Sequence, residues 1–167
     1  MAKISPMYHY CTGVYEVGDT IPAGDDSYLS ELTAQELAME KAIRERSCAV
    51  GKIRDSCVYT YENKTLAETA HWMRQRQLRR KVPDITLLLY VVEIDTEDLL
   101  YVADLNHFTN GEEAFAREDE QALADAVKGY LSGLTADGYD KTKWEFLASK
   151  VSVKHAVGPP PRTRPHV

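Results

Sequence analysis

The chain has 167 residues, of which 44% are hydrophobic, and a formal net charge of -6. A chain of this length is expected to form one domain that can bury a core and enclose a pocket without disulfides. The acidic balance argues against broad nonspecific binding to nucleic acid, and no apolar run reaches the roughly 20 residues of a membrane-spanning helix.

The cysteines and the amino terminus indicate a reducing compartment. The amino terminus has no apolar signal region after its first residues. The chain has three cysteines, Cys11, Cys48 and Cys57. Their number is odd, so they cannot all form disulfides with one another, and none of them forms a CxxC pair. We therefore expect free thiols, a cytoplasmic location and no membrane association.

The first half of the chain alternates strand patterns with helical patterns. Thr33 followed by Glu36 is a capping box, and apolar residues recur at helical spacing behind it. Pro83 ends the second helical pattern. These signals predict, in order, a strand over 3–12, a helix over 33–47, a strand over 57–61 and a helix over 65–80.

The second half favours strands around one long helix. A dense apolar run over 86–94 predicts a central strand, with 99–105 as its expected partner. One helix is predicted from about 110 to 134, before two strands over 143–147 and 151–157 that resemble a hairpin.

This order does not alternate regularly enough for a doubly wound parallel sheet. It predicts an α+β fold with about three helices in a single domain over 1–157. A proline-rich flexible tail is expected over 158–167.

Three chemically distinctive side chains lie on separate predicted strands. His9 stands between two tyrosines at the end of the first strand, and Tyr59 and Tyr61 alternate on the next. Glu145 is a lone acid in an apolar segment, an unusual place unless it lies on an exposed edge or does chemistry. Alternatives remain open: the histidine and tyrosines as ordinary core residues, and the glutamate as a solvent-facing residue of an edge strand.

Several common motifs are missing from the sequence. It has no GxGxxG after a strand, no GxxxxGK[ST] and no HExxH, so the simplest nucleotide-binding and zinc-protease interpretations lack their signals. A zinc site is the remaining metal alternative, because suitable ligand types occur at His9, Cys11, Cys48 and Cys57. Their spacing is irregular, so no metal is predicted.

Taken together, three segments resemble a known enzyme family. They are Tyr8-His9-Tyr10 on the first strand, Val58-Tyr59-Thr60-Tyr61 running into a helix, and Trp144-Glu145-Phe146 on a late strand. This arrangement is similar to the ADP-ribosyltransferase superfamily of the histidine, tyrosine, glutamate type. That superfamily includes diphtheria-like toxins, poly(ADP-ribose) polymerases and rifamycin-modifying transferases. The resemblance implies its split β-sheet core.

The resemblance also implies a reaction, the transfer of ADP-ribose from the substrate NAD to an acceptor with release of nicotinamide. Glu145 would be catalytic, because a carboxylate stabilises the developing ribosyl cation. Tyr59 would stack on the nicotinamide, and His9 would hydrogen-bond the adenosine ribose. The other expected NAD-binding residues are Tyr10, Tyr61 and Trp72. The alternative is a noncatalytic nucleotide-binding or protein-interaction module on the same fold.

A basic run ends the second predicted helix, at Arg74, Arg76, Arg79, Arg80 and Lys81. It suits a solvated helix terminus that complements the macrodipole. The alternative is a docking patch for a pyrophosphate, a nucleic acid or an acidic protein. The acceptor is therefore not identified, and a protein, a nucleic acid and a small molecule all remain candidates.

Overall fold

The computed structural model describes residues 2–24 and 32–160 of the chain. Within these residues the α-helices are α1 (Ala34–Arg46), α2 (Cys48–Asp55), α3 (Lys64–Arg79), α4 (Leu105–Ala116) and α5 (Glu120–Ser132). The strands are β1 (Lys3–Cys11), β2 (Thr20–Pro22), β3 (Val58–Tyr61), β4 (Leu88–Asp95), β5 (Leu99–Asp104), β6 (Trp144–Ala148) and β7 (Lys150–Gly158). A 3-10 turn over Thr96–Asp98 joins β4 to β5.

The described strands form one open sheet in the order β2-β7-β4-β1-β3-β6-β5. Every neighbouring pair in it is antiparallel. The molecule is therefore a mixed fold of helices and an antiparallel sheet, in agreement with the α+β prediction. Strands β1, β3 and β6 are consecutive neighbours, which brings together three segments far apart in sequence.

Two apolar clusters hold the helices and the sheet. One lies on the sheet and includes Met7, Val58 and Tyr90. The other includes Met39 and Tyr130, packed with residues of α4 and β5. Burial of these side chains is the main favourable contribution to folding, at about 25 cal/mol for each Å² of apolar surface.

Side-chain caps fix where the helices begin. Thr33 and Glu36 form the predicted capping box at the start of α1, which confirms that signal. Asp104 caps α4 by accepting from the backbone N–H of Asn106 at 3.0 Å, and it also accepts from the N–H of Lys143 at 3.1 Å. Because Asp104 is buried, these bonds tie the start of β6 to the start of α4.

The helix count and the sheet differ from the sequence prediction. The described residues contain five helices rather than about three, and hydrogen bonds join the strands into one sheet rather than a split one. Helix α2 was missed, although the Ser47 side chain caps it by accepting from Val50 N–H. The long helix predicted over 110–134 is two helices, because Glu118 takes the left-handed conformation at φ 58° and breaks the pattern.

Strand pairing also differs from the prediction. Strand β5 pairs with β6 rather than with β4, and β6 pairs with β3 rather than forming a hairpin with β7. Gly158 ends β7, so the predicted tail begins later than expected, and residues 161–167 lie outside the described residues. No helix in the described part of the chain is long and apolar enough to cross a bilayer.

Candidate functional site

A pocket of about 760 Å³ lies where α1, α3 and α4 meet residues of β1, β3 and β6. Its volume is within the roughly 300–1,000 Å³ typical of small-molecule sites. Helix α4 lines it with one face at helical spacing, formed by Leu105, Phe108, Thr109 and Glu112. Helices therefore form one side of the pocket, and strands supply another.

Three of the predicted site residues line this pocket from neighbouring strands. His9 comes from β1, Tyr59 from β3 and Glu145 from β6, and β3 lies between the other two. Tyr10 and Tyr61 line the same pocket. The structure thus brings together five of the six residues that the sequence analysis selected, whereas their roles remain predictions.

The ring of His9 is fixed by the neighbouring strand. Its Nδ1 lies 2.7 Å from the carbonyl oxygen of Tyr59. A carbonyl can only accept, so Nδ1 carries the proton, and the neutral ring keeps Nε2 as an acceptor. Burial lowers the pKa of His9, and the hydrogen bond to Tyr59 offsets part of that effect. At neutral pH the imidazole is therefore an uncharged acceptor at the pocket.

The ring of Tyr59 is held by Arg54. The phenol donates a hydrogen bond to the backbone carbonyl of Arg54, and the guanidinium carbon of Arg54 lies 5.2 Å from the centre of the ring. A tyrosine fixed in this way presents a rigid aromatic surface to the pocket.

Glu145 is buried in the interior of the sheet. It is 3% exposed, and β6 lies between β3 and β5, so the interpretation as a solvent-facing residue of an edge strand is wrong. Its Oε1 accepts from Arg54 Nη1 at 2.7 Å and from the Tyr130 hydroxyl at 3.0 Å. Both hydrogen bonds go to the same oxygen, so the carboxylate has a fixed orientation.

Arg54 is the centre of this buried network. It also pairs with Glu40, at 2.5 Å between Nη2 and Oε1. Burial disfavours the guanidinium charge, but Tyr130, Glu145 and Glu40 keep the pKa of Arg54 well above its ordinary value. Burial likewise opposes ionisation of Glu40, yet Arg54 and Arg44 lower its pKa to about 2. The charges are therefore mutually stabilised, as buried ions require.

Tyr10 and Tyr61 belong to a ring stack rather than standing open to solvent. Their ring centres are 6.1 Å apart at 11°, and Tyr10 also stacks on His71 at 5.6 Å. The ring of His71 donates through Nε2 to the carbonyl of Leu87 at 2.7 Å. Burial raises the pKa of Tyr61 well above its usual range. This stack forms a wall of the pocket beside α3.

Trp72 does not join the site. It is absent from the described lining of the pocket, and Arg76 covers its ring at 4.8 Å from the centre. The predicted NAD-binding role of Trp72 therefore has no support from its position. Trp72 faces away because the α3 residues on the pocket, including Ala70 and Met73, lie on another side of the helix.

The basic run at the end of α3 has two parts. Arg74 lines the pocket and pairs with Glu36 of α1 at 3.0 Å. The other members are exposed, and they are Arg76, Arg79, Arg80 and Lys81. Only the first member is therefore placed to contact a ligand in the pocket.

The residues considered as alternative zinc ligands, which all lie in the described part of the chain, do not come together in one site. In residues 2–24 and 32–160, the one group of three such ligands within 4.8 Å is Asp95, Glu97 and Asp98. His9 and the cysteines therefore do not converge. Cys57 lines the pocket, but burial raises its pKa to about 12, so the thiol stays protonated and is a poor nucleophile.

Several polar residues of the site were not predicted from the sequence. They are Glu36, Glu40, Arg54, Glu112, Tyr130 and Lys143. The signal that could have found Glu36 and Glu40 was their spacing of four residues in α1, which places both on one helix face. Arg54 carried no comparable local signal.

Comparisons of this chain with family models and with curated proteins found no match.

Proposed function

We propose that the protein cleaves NAD at the bond between nicotinamide and ribose and transfers ADP-ribose to an acceptor. The observation that carries the proposal is the position of His9, Tyr59 and Glu145 on adjacent strands around one pocket. These are the residues in which the sequence resembles the histidine, tyrosine, glutamate ADP-ribosyltransferases. The resemblance and the geometry thus support the same site.

Each side chain suits one part of NAD. The Nε2 atom of His9 is an acceptor for a ribose hydroxyl, because Nδ1 is committed to the Tyr59 carbonyl. The ring of Tyr59 offers a surface for the cationic nicotinamide. Glu145 faces the developing ribosyl cation, and electrostatic stabilisation of this kind contributes about 3 kcal/mol for each well-placed group.

Lys143 supplies positive charge for the pyrophosphate. It lines the pocket directly before β6, and it makes no ion pair with another residue in the described part of the chain. The other two cations of the described lining, Arg54 and Arg74, are already paired with carboxylates. Replacement of Lys143 by methionine should therefore raise KM for NAD, and added salt should reduce the difference.

The test is nicotinamide release from NAD. His9→Ala and Tyr59→Ala should raise KM, whereas Glu145→Gln should lower kcat by about 100-fold. Glu40→Gln is the control, because Glu40 and Glu145 both pair with Arg54. It measures how much activity is lost when an ion pair of Arg54 is broken but Glu145 is retained. Glu145→Asp keeps the negative charge but shortens the side chain by one methylene group, which moves the carboxylate away from the ribose. It should therefore also lower kcat.

One observation favours a noncatalytic nucleotide-binding module as the second candidate. The charge of Glu145 is compensated by Arg54 at 2.7 Å, which weakens its attraction for a cation. In that case NAD binds, with an affinity that His9→Ala reduces, and wild type and Glu145→Gln release equally little nicotinamide. Failure of the wild type to bind or cleave NAD would contradict both candidates.

A further inference from the structure

Glu112 is the one carboxylate of the described pocket lining to which the described residues supply neither a hydrogen bond nor an ion pair. Glu40 and Glu145 pair with Arg54, and Glu36 pairs with Arg74. Glu112 makes no hydrogen bond or ion pair with any residue in 2–24 or 32–160. It lies on the face of α4 that lines the pocket, so its carboxylate is available to a bound molecule.

The surroundings of Glu112 raise the pKa of its carboxyl group to near neutral pH. Burial raises its pKa to about 7, and repulsion from Glu36 of α1 and Glu113 of α4 acts in the same direction. Arg74 of α3 opposes the shift. A carboxylate that changes protonation near the working pH is the most effective kind of general base.

We propose that Glu112 is the general base that takes the proton from the acceptor nucleophile. The inference rests on the proposed function, and it assigns a second carboxylate with a task different from that of Glu145. The bond between ribose C1 and the nicotinamide nitrogen breaks, and its electron pair neutralises the pyridinium. A lone pair of the acceptor forms the new bond to C1, and the acceptor proton passes to Glu112 and then to solvent.

The experiment uses water as the probe acceptor, so the reaction is hydrolysis of NAD to ADP-ribose and nicotinamide. In wild type, kcat should rise with pH and level off above a midpoint of about 7. Glu112→Gln should lower the plateau by about 100-fold and remove the rise, with KM for NAD unchanged. Glu112→Asp should retain the pH dependence at a reduced rate.

Glu113→Gln is the matched control. Glu113 is the next residue of the same helix, but it is exposed and absent from the described pocket lining. Its replacement should leave the plateau unchanged and move the midpoint slightly lower, because one repulsive charge is removed. Carbon-13 NMR of labelled glutamate should show Glu112 titrating at about 7 without any substrate.

The outcomes separate this inference from the proposed function. If wild type hydrolyses NAD and Glu112→Gln does so equally fast, the base role alone is overturned. A slower variant with an unchanged pH profile indicates a structural role and also overturns it. If wild type releases no nicotinamide, the proposed function fails and the base role fails with it, whatever the NMR titration shows.

Discussion

Arg54 Nη1 lies 2.7 Å from Glu145 Oε1, so a cation on α2 pairs with the single acidic residue of β6. The two residues are separated by 91 positions in the sequence. The same guanidinium reaches Glu40 on α1. One buried side chain therefore links the helical layer to the strand that carries the proposed catalytic group.

Replacement of Arg54 by methionine should destabilise the fold severely. It leaves Glu145 buried without its cation and leaves Glu40 paired with Arg44 alone. Breaking a buried pair in this way costs about 3–5 kcal/mol. Urea denaturation would measure the loss in the free energy of unfolding. The control is Arg46→Met on the exposed end of α1, which should change it by less than about 0.5 kcal/mol. A loss below about 1 kcal/mol for Arg54→Met would contradict the importance of the network.

Replacement of Tyr130 by phenylalanine tests whether the orientation of Glu145 matters. It removes the hydroxyl that donates to Glu145 Oε1 and leaves the ring in place. We expect kcat for nicotinamide release to fall about tenfold, equivalent to about 1.4 kcal/mol, with KM unchanged. Tyr101→Phe removes a comparable hydroxyl, which donates to the backbone oxygen of Tyr130, and should not lower kcat. Equal kcat values in the two variants would show that the hydroxyl does not position the carboxylate.

The buried histidines should make the fold sensitive to mild acid. Burial lowers the pKa of His9 and of His71, so the unfolded chain binds protons first as the pH falls. Stability from these groups is present above their ordinary pKa of about 6.5 and is lost as the pH falls below it. His9→Gln should weaken this dependence in urea denaturation at pH 7 and pH 5. A difference in the free energy of unfolding between pH 7 and pH 5 that is as large in His9→Gln as in wild type would refute the assignment.

Glu112 should reduce the stability of the fold at alkaline pH. Because its pKa is raised from 4.5 to about 7, its contribution is favourable below pH 4.5 and is lost as the pH rises through 7. Glu112→Gln should therefore be more stable than wild type at pH 8, by about 1–2 kcal/mol after allowance for partial exposure, and similar at pH 4. Urea denaturation at both values measures this, with Glu113→Gln as comparison. No gain at pH 8 would show that the carboxylate is not strained in the fold.

Local signals in the sequence were enough to locate most elements. The capping box at Thr33 and Glu36 gave the start of α1, and the strand patterns lie within a few residues of β3 and β6. Helix α2 was not predicted because it has only eight residues and contains Gly51, a residue type that commonly marks the end of a helix. These signals depend on neighbouring residues, so they need no knowledge of the tertiary fold.

Long-range pairing could not be read from local patterns. Strands β6 and β7 follow each other closely and suggested a hairpin, but each pairs with strands distant in sequence. The same limit applies to the site. Glu145 was conspicuous as an acid among apolar residues, whereas its partner Arg54 resembles any basic residue near a helix end until the fold brings the two together.

The two ion pairs of α1 fix the number of residues that separate its acids Glu36 and Glu40. Glu36 holds the arginine of α3, and Glu40 holds the arginine of α2. One inserted residue between them would rotate the second carboxylate by about 100° and carry it off its partner. Natural or designed variants of this protein should therefore tolerate changes of residue type in the intervening segment far better than any change in its number of residues.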